Sequence, residues 1–350
     1  MRWLRNFRSL RQSQFQGDAN ESGERGAATV IVAGLMVVLL GFAALAVDVG
    51  ALYAEKAQLQ NGADAAALAI ATDCAGGSCG NSTATGNQFA NSNANDNSSG
   101  AVVTFPAATT VRVVTNARDA GSGANSFSLF FAQAFGIETA TVGATAEASW
   151  GAPSSATTLP WTVSECVFKK YLSPTQLASL NSTGNFAGDP IPTHLLLRYD
   201  TNAPTVPGCA AQNGYQPGGF GWLVTTSGCS TDISINATVN GQTGNHFPND
   251  PACNSVLAHI MDEPALMPLF KTATGNGSNA KYTLVGFAAF QVTGYRFSGS
   301  GGVQDPAAPA CTGNCRGLQG FFSRFVSLEE GSQMSGGIPN YGASVVTLTE

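Results

Sequence analysis

Ala27 to Val47 is a run of 21 residues without a charged side chain, and no other feature constrains this chain as strongly. It holds Val30, Ile31, Val32, Leu35, Met36, Val37, Val38, Leu39, Leu40, Phe42 and Leu45. At about 1.5 Å per residue, a helix of that length spans roughly 31 Å, the thickness of a bilayer's hydrocarbon core. The run is longer than the apolar region of a cleaved export signal, and the helical pattern continues past Val47 instead of breaking at a polar turn. The reading is an uncleaved, single-pass transmembrane helix over 26–48. Upstream, Arg2, Arg5, Arg8, Arg11 and Arg25 outnumber Asp18, Glu21 and Glu24. That excess places the N-terminal tail, 1–25, in the cytoplasm and the remainder of the chain outside it.

Beyond the span the chain carries 11 basic and 19 acidic residues, which gives no electrostatic footprint for nucleic acid. All eight cysteines also lie there: Cys74, Cys79, Cys166, Cys209, Cys229, Cys253, Cys311 and Cys315. An even number confined to the oxidising side of a membrane reads as disulfides. The C-x₄-C and C-x₃-C pairs lack the tight C-x₂-C knuckle of a zinc site, and His194, His246 and His259 are not spaced to complete one. Sequence alone does not fix the pairing. The local closures Cys74–Cys79 and Cys311–Cys315 are favoured, with Cys229–Cys253 next.

The expected fold class is α+β. A long transmembrane helix continues outward through residues 48–72 into a small α+β unit (49–150). A linker (151–160) follows, then a β-rich, disulfide-containing domain (161–350). Residues 80–100 read as a loop, or as a poor helix followed by one. Strands are expected at 101–105 and 110–115, and Phe127, Phe130, Phe131, Ala134 and Phe135 have helical spacing ending at Gly136. From Ala140 to Trp150, small apolar residues alternate with polar ones, as in a half-buried strand. Further strands are expected at 161–168, 194–199, 282–297, 321–328 and 343–349. Short helices are expected to start at Ser173–Pro174 and Asp250–Pro251, each a polar cap followed by proline.

Residues 25–69 (RGAATVIVAGLMVVLLGFAALAVDVGALYAEKAQLQNGADAAALA) combine an RGA start, an apolar helix closing on A-V-D-V-G, Tyr53 and an L-Q-x-x-A-D-A-A-A-L-A run. That combination resembles the N-terminal module of bacterial Flp pilus-assembly proteins of the TadE/TadG-like family. PGGFGW at 217–222 and LVGFAAFQVTGYRF at 284–297 are similar to C-terminal regions attached to such modules. The resemblance implies a membrane-anchored component of a tight-adherence pilus system. Its partners would be other pilus-assembly membrane proteins or pilus subunits, besides the lipid bilayer. Some larger relatives carry a metal-dependent adhesion motif, D-x-S-x-S. Here Asp232-Ile233-Ser234-Ile235-Asn236 ends on Asn and lacks the strand-to-helix context, so no metal is expected.

No Ser-His-Asp, H-E-x-x-H, Walker or G-x-S-x-G pattern is present, so neither catalysis nor a cofactor is expected. The alternative reading is a cell-surface binding module for glycan or a cell-wall ligand, presenting Trp161, Phe220 and Trp222. Gly34, Gly41, Asp48, Glu55 and Gly62 recur every seven residues and fall on one helix face. Gly34, Gly41 and Asp48 are therefore candidates for helix association, with a partner subunit or a second copy.

Overall fold

The computed structural model describes residues 22–189, 191–200, 202–209, 219–242, 251–275, 279–298, 301–327, 334 and 338–349. The expected tail over 1–25 lies outside them except for 22–25, which already belong to the first helix. That helix, α1 (Ser22–Ala75), runs unbroken for 54 residues, about 81 Å at the usual rise. Among the described residues it is the one helix long and apolar enough to cross a membrane. Over the first half, Val30, Leu39 and Phe42 stand exposed on all sides. From residue 48 onward a single stripe turns inward: Asp48, Glu55, Leu59, Ala63, Ala66, Ile70 and Cys74 are buried. Three- and four-residue steps of this kind place one helix face on a core.

The core under that stripe is a five-stranded sheet. After α1 come α2 (Ser82–Asn93), β1 (Ser99–Ala107) and β2 (Thr110–Ala117). Next are β3 (Phe127–Ser128), a 3₁₀ turn (Ala132–Phe135), β4 (Thr139–Ala140) and β5 (Gly143–Gly151). Ala63, Ala66, Ala67, Ile70 and Ala71 of α1 pack on Val111, Val113, Ala146 and Ala148. Methyl-sized side chains let the helix lie close to the sheet, which suits the Ala-rich sequence. The poor helix at 82–93 forms because tertiary contacts outweigh its propensity. Asn81 caps it, accepting from the Ala84 N–H at 3.1 Å. Its Asn87 and Asn91 side chains accept the N–H groups of Ala101 and Ser99 on β1. Gly62 permits the crossing, since a Cβ there would stand 3.2 Å from the Ala90 Cα.

Residues 151–160, expected to link two units, contain β6 (Ser155–Thr158). The following elements are β7 (Trp161–Ser164), α3 (Glu165–Tyr171), α4 (Pro174–Thr183), β8 (Leu195–Arg198) and β9 (Phe220–Trp222). Then come β10 (Thr231–Ser234), β11 (Thr238–Asn240), α5 (Pro251–His259), β12 (Ala265–Thr274) and β13 (Lys281–Arg296). The described elements close with β14 (Gly302–Val303), β15 (Gly317–Ser323), β16 (Phe325–Ser327) and β17 (Ala343–Leu348). The larger sheet has the order β8-β15-β13-β12-β7-β9, with β11 and β14 also on β13, while β6 pairs with β10 separately. The expected strand 161–168 is half strand, half helix, because the chain turns into α3 after Ser164.

The smaller sheet is completed from far along the sequence. Its order is β1-β2-β5-β17-β16, with β17 antiparallel to β5 and parallel to β16. The aromatic core of the larger part centres on Phe168, whose ring meets Phe322 at 4.7 Å, Tyr341 at 5.5 Å and Phe186 at 5.8 Å.

Candidate functional site

The polar group that the heptad stripe singles out, Asp48, sits where α1 leaves its apolar half. It is 5% exposed. Its two carboxylate oxygens accept the N–H groups of Phe130 (3.0 Å), Phe131 (3.0 and 3.2 Å) and Ala132 (2.6 Å). These donors open the 3₁₀ turn, and the first N–H groups of any helical turn have no partner within it. A carboxylate delivered from another element does here what a capping Asp does from the preceding residue. Gly136 closes the turn in the left-handed conformation, φ 78°, with its N–H on the Gln133 carbonyl at 3.0 Å.

This arrangement corrects the helix expected from the spacing of Phe127, Phe130, Phe131, Ala134 and Phe135. Only 132–135 is helical, as a 3₁₀ turn, because β3 pairs with β4 on either side and Asp48 takes the leading donors. Leu129 and Ala132 point inward, whereas Phe130 and Phe135 are 80% and 72% exposed. Asp48 thus finds its donors inside its own chain. Gly34 and Gly41, on the same face, meet no atom within 4 Å of an added Cβ.

A second junction joins the two sheets. Arg324, between β15 and β16, donates Nη2 to the Ala75 carbonyl at 2.6 Å. A cation at the C-terminal end of α1 also opposes the helix dipole. Burial lowers the guanidinium's pKa from its ordinary value. Beside it lies a cleft of about 660 Å³, lined by Trp150, Ser179, Asn185, Arg324 and Asn340 among others.

Residues 26–73 match the family described as Flp pilus-assembly TadE/G-like. This segment is similar to TadE/G-like domains. It coincides with almost the whole of α1, so the Tad match takes in both the membrane-length half and the stripe that packs on the sheet. Neither the curated proteins nor the solved structures give a match to the chain. The matched helix fits a single-pass membrane anchor.

Beyond the matched segment, all eight cysteines are paired: Cys74–Cys79, Cys166–Cys209, Cys229–Cys253 and Cys311–Cys315. Trp161, Phe220 and Trp222, the aromatics assigned to a glycan surface, are buried in the core of the larger sheet. The alternative binding-module reading therefore loses the residues that carried it. Asp232 lies on β10, where its carboxylate accepts the hydroxyls of Thr157 and Thr226. Asn236 beyond it turns into the left-handed region at φ 64°.

His194 belongs to a cluster that its sequence neighbours do not reveal. Its Nδ1 lies 2.5 Å from Asp305, which also accepts the Thr293 hydroxyl and the Ala307 N–H. Burial alone would raise the Asp305 carboxyl. Hydrogen bonds from Thr293, His194 and Ala307, with the His194 charge, outweigh it and hold the group below the usual carboxylate range. His194 and Asp305 are 111 residues apart, and neither lies in a recognisable motif.

Proposed function

We propose that this chain is a structural and assembly component of a tight-adherence, Flp-type pilus system. It is anchored by one transmembrane helix with its N-terminus in the cytoplasm, and its larger part makes protein–protein contacts outside. The observation that carries the reading is the Tad match over a helix that is apolar and exposed up to residue 47, then packed into an ectodomain with four disulfides. The arginines before the span support the orientation, and disulfides suit an extracytoplasmic compartment. The role is scaffolding rather than catalysis. Asp48 and Arg324 are spent on holding the ectodomain to α1, while the face bearing Gly34 and Gly41 stays open for another membrane helix.

The test is genetic and topological. In a bacterium that carries the chain, its deletion is expected to abolish Flp-type surface pili, and the full chain to restore them. Alkaline phosphatase fused after Glu350 should be active only when exported. Normal piliation without the chain would refute the assembly role, and an inactive but intact fusion would refute the orientation.

A further inference from the structure

The 129–137 loop lies against α1 at the point where the helix leaves its apolar half. Phe127 packs with the cluster around Leu59, and the loop tip meets Asp48, about 16 Å nearer the apolar half at the usual rise. The hairpin formed by β3 and β4 therefore reaches back along the helix toward the membrane. Residues 127–137 (FSLFFAQAFGI) contain no charged side chain. Phe130, Phe131, Phe135 and Ile137 are exposed on the tip, next to the equally exposed Leu45, Val47 and Val49 of the helix.

Seven of the nine backbone N–H groups in 129–137 have partners. The N–H groups of Phe130, Phe131 and Ala132 go to Asp48. Those of Leu129, Ala134, Gly136 and Ile137 go to carbonyls within the hairpin. Gln133, the one polar side chain in 129–137, turns its amide back onto the Leu129 carbonyl. Backbone without such partners is costly away from water, and non-helical backbone at membrane depth needs its groups satisfied internally. Asp48, in turn, would be an isolated charge at the membrane boundary without these donors.

We propose that the Phe130–Ile137 loop inserts into the outer headgroup–acyl boundary of the bilayer that α1 crosses, as a second membrane contact beside the span. The occupant of this apolar face is lipid, because the loop surface is continuous with the lipid-exposed surface of the helix and carries no charge of its own. The proposal rests on the reading of α1 as a membrane span. Two contacts fix the ectodomain's tilt and rotation against the membrane plane, which a single helix leaves free.

The experiment uses the full chain reconstituted in phosphatidylcholine vesicles, with the photo-cross-linker p-benzoylphenylalanine in place of Phe130 or Phe135. Leu40 serves as the reference inside the span. Ile191, 86% exposed in the larger part, serves as the water-facing reference. Lipid adducts, read by mass spectrometry, are expected at 130 and 135 at least several-fold above those at 191. Asp48→Ala should reduce the adduct at 130 several-fold while leaving that at 40 unchanged. Adducts at 40 but only background at 130 and 135, or cross-links to protein instead of lipid, would overturn the loop proposal while the span survives. Background at 40 as well would remove the span reading and this proposal with it. An unchanged adduct at 130 in Asp48→Ala would overturn Asp48 as the clamp that holds the loop there.

Discussion

Replacing Cys166 and Cys209 together by alanine opens the longest disulfide-closed loop in the protein, closed over a sequence separation of 43. The bond fastens α3 to residues 202–209, and Cys209 lies in the same buried cluster as Trp161 and Trp222. On the chain-entropy account, a cross-link restricts the unfolded chain more the longer the loop it closes. For this separation the expected loss is about 4 kcal/mol, against about 2 kcal/mol for the short Cys74–Cys79 and Cys311–Cys315 closures. Alanine leaves no polar atom in the buried position, so the difference isolates the cross-link. The assay is urea denaturation of the full chain in detergent, followed by tryptophan fluorescence with Trp161 and Trp222 as reporters. A cost below about 1 kcal/mol, or a short-loop pair costing as much as this one, would refute the loop-entropy reasoning.

Burial and the nearby Asp96 push the Glu55 carboxyl above its ordinary pKa. Its contribution is therefore most favourable below the unfolded value and is lost as pH rises through the folded one, so Glu55→Gln should stabilise the fold at pH 7.5 more than at pH 4. Asp305 runs the other way. Its depressed pKa gives stability that is present above the unfolded value, about 3.9, and lost as pH falls through the folded one. Asp305→Asn should cost about 2 kcal/mol at neutral pH and progressively less in acid, measured by the same denaturation. Arg324→Met leaves the Ala75 carbonyl without its charged donor and should cost about 2 kcal/mol, with separate unfolding transitions for the two sheets as a further sign of uncoupling. Gly34→Leu with Gly41→Leu should abolish in-membrane cross-linking to a partner helix or second copy; unchanged cross-linking at normal insertion would exclude that face as an interface.

Signals confined to short stretches were legible. The alternation from Ala140 to Trp150 became β5, and the Ser173–Pro174 start became a capping box, with Ser173 Oγ accepting the Gln176 N–H and Gln176 returning the bond. The apolar helix and the local closures Cys74–Cys79 and Cys311–Cys315 belong to the same class, and Cys229–Cys253, the next pairing favoured, also forms. Features that depend on partners far along the chain were not legible. β12 escaped notice because Pro268 falls inside it; the sheet accommodates that proline next to irregular register, and its carbonyl accepts the Thr162 hydroxyl. Asp48 stood out in the sequence, but its partners lie 82 to 84 residues away and are backbone N–H groups, which no residue type betrays. Phe130, Phe131 and Phe135 have helical spacing, yet all three stand on the outward side of a loop whose inward residues are Leu129 and Ala132.

The pairing of β17 with β5 has a consequence for how the protein is made. In the proposed topology α1 enters the membrane early in synthesis, yet the sheet it packs on keeps an unpaired edge at β5 until residues 343–348 have followed. In that topology about 190 residues separate β5 from β17, and until they have been exported the β5 edge stays open to any other strand nearby, a setting that favours mispairing. Completion of this sheet would then wait on export of the last strand rather than on local folding. A chain stalled short of residue 343 would, in the proposed topology, be tethered and partly folded with an adhesive strand edge.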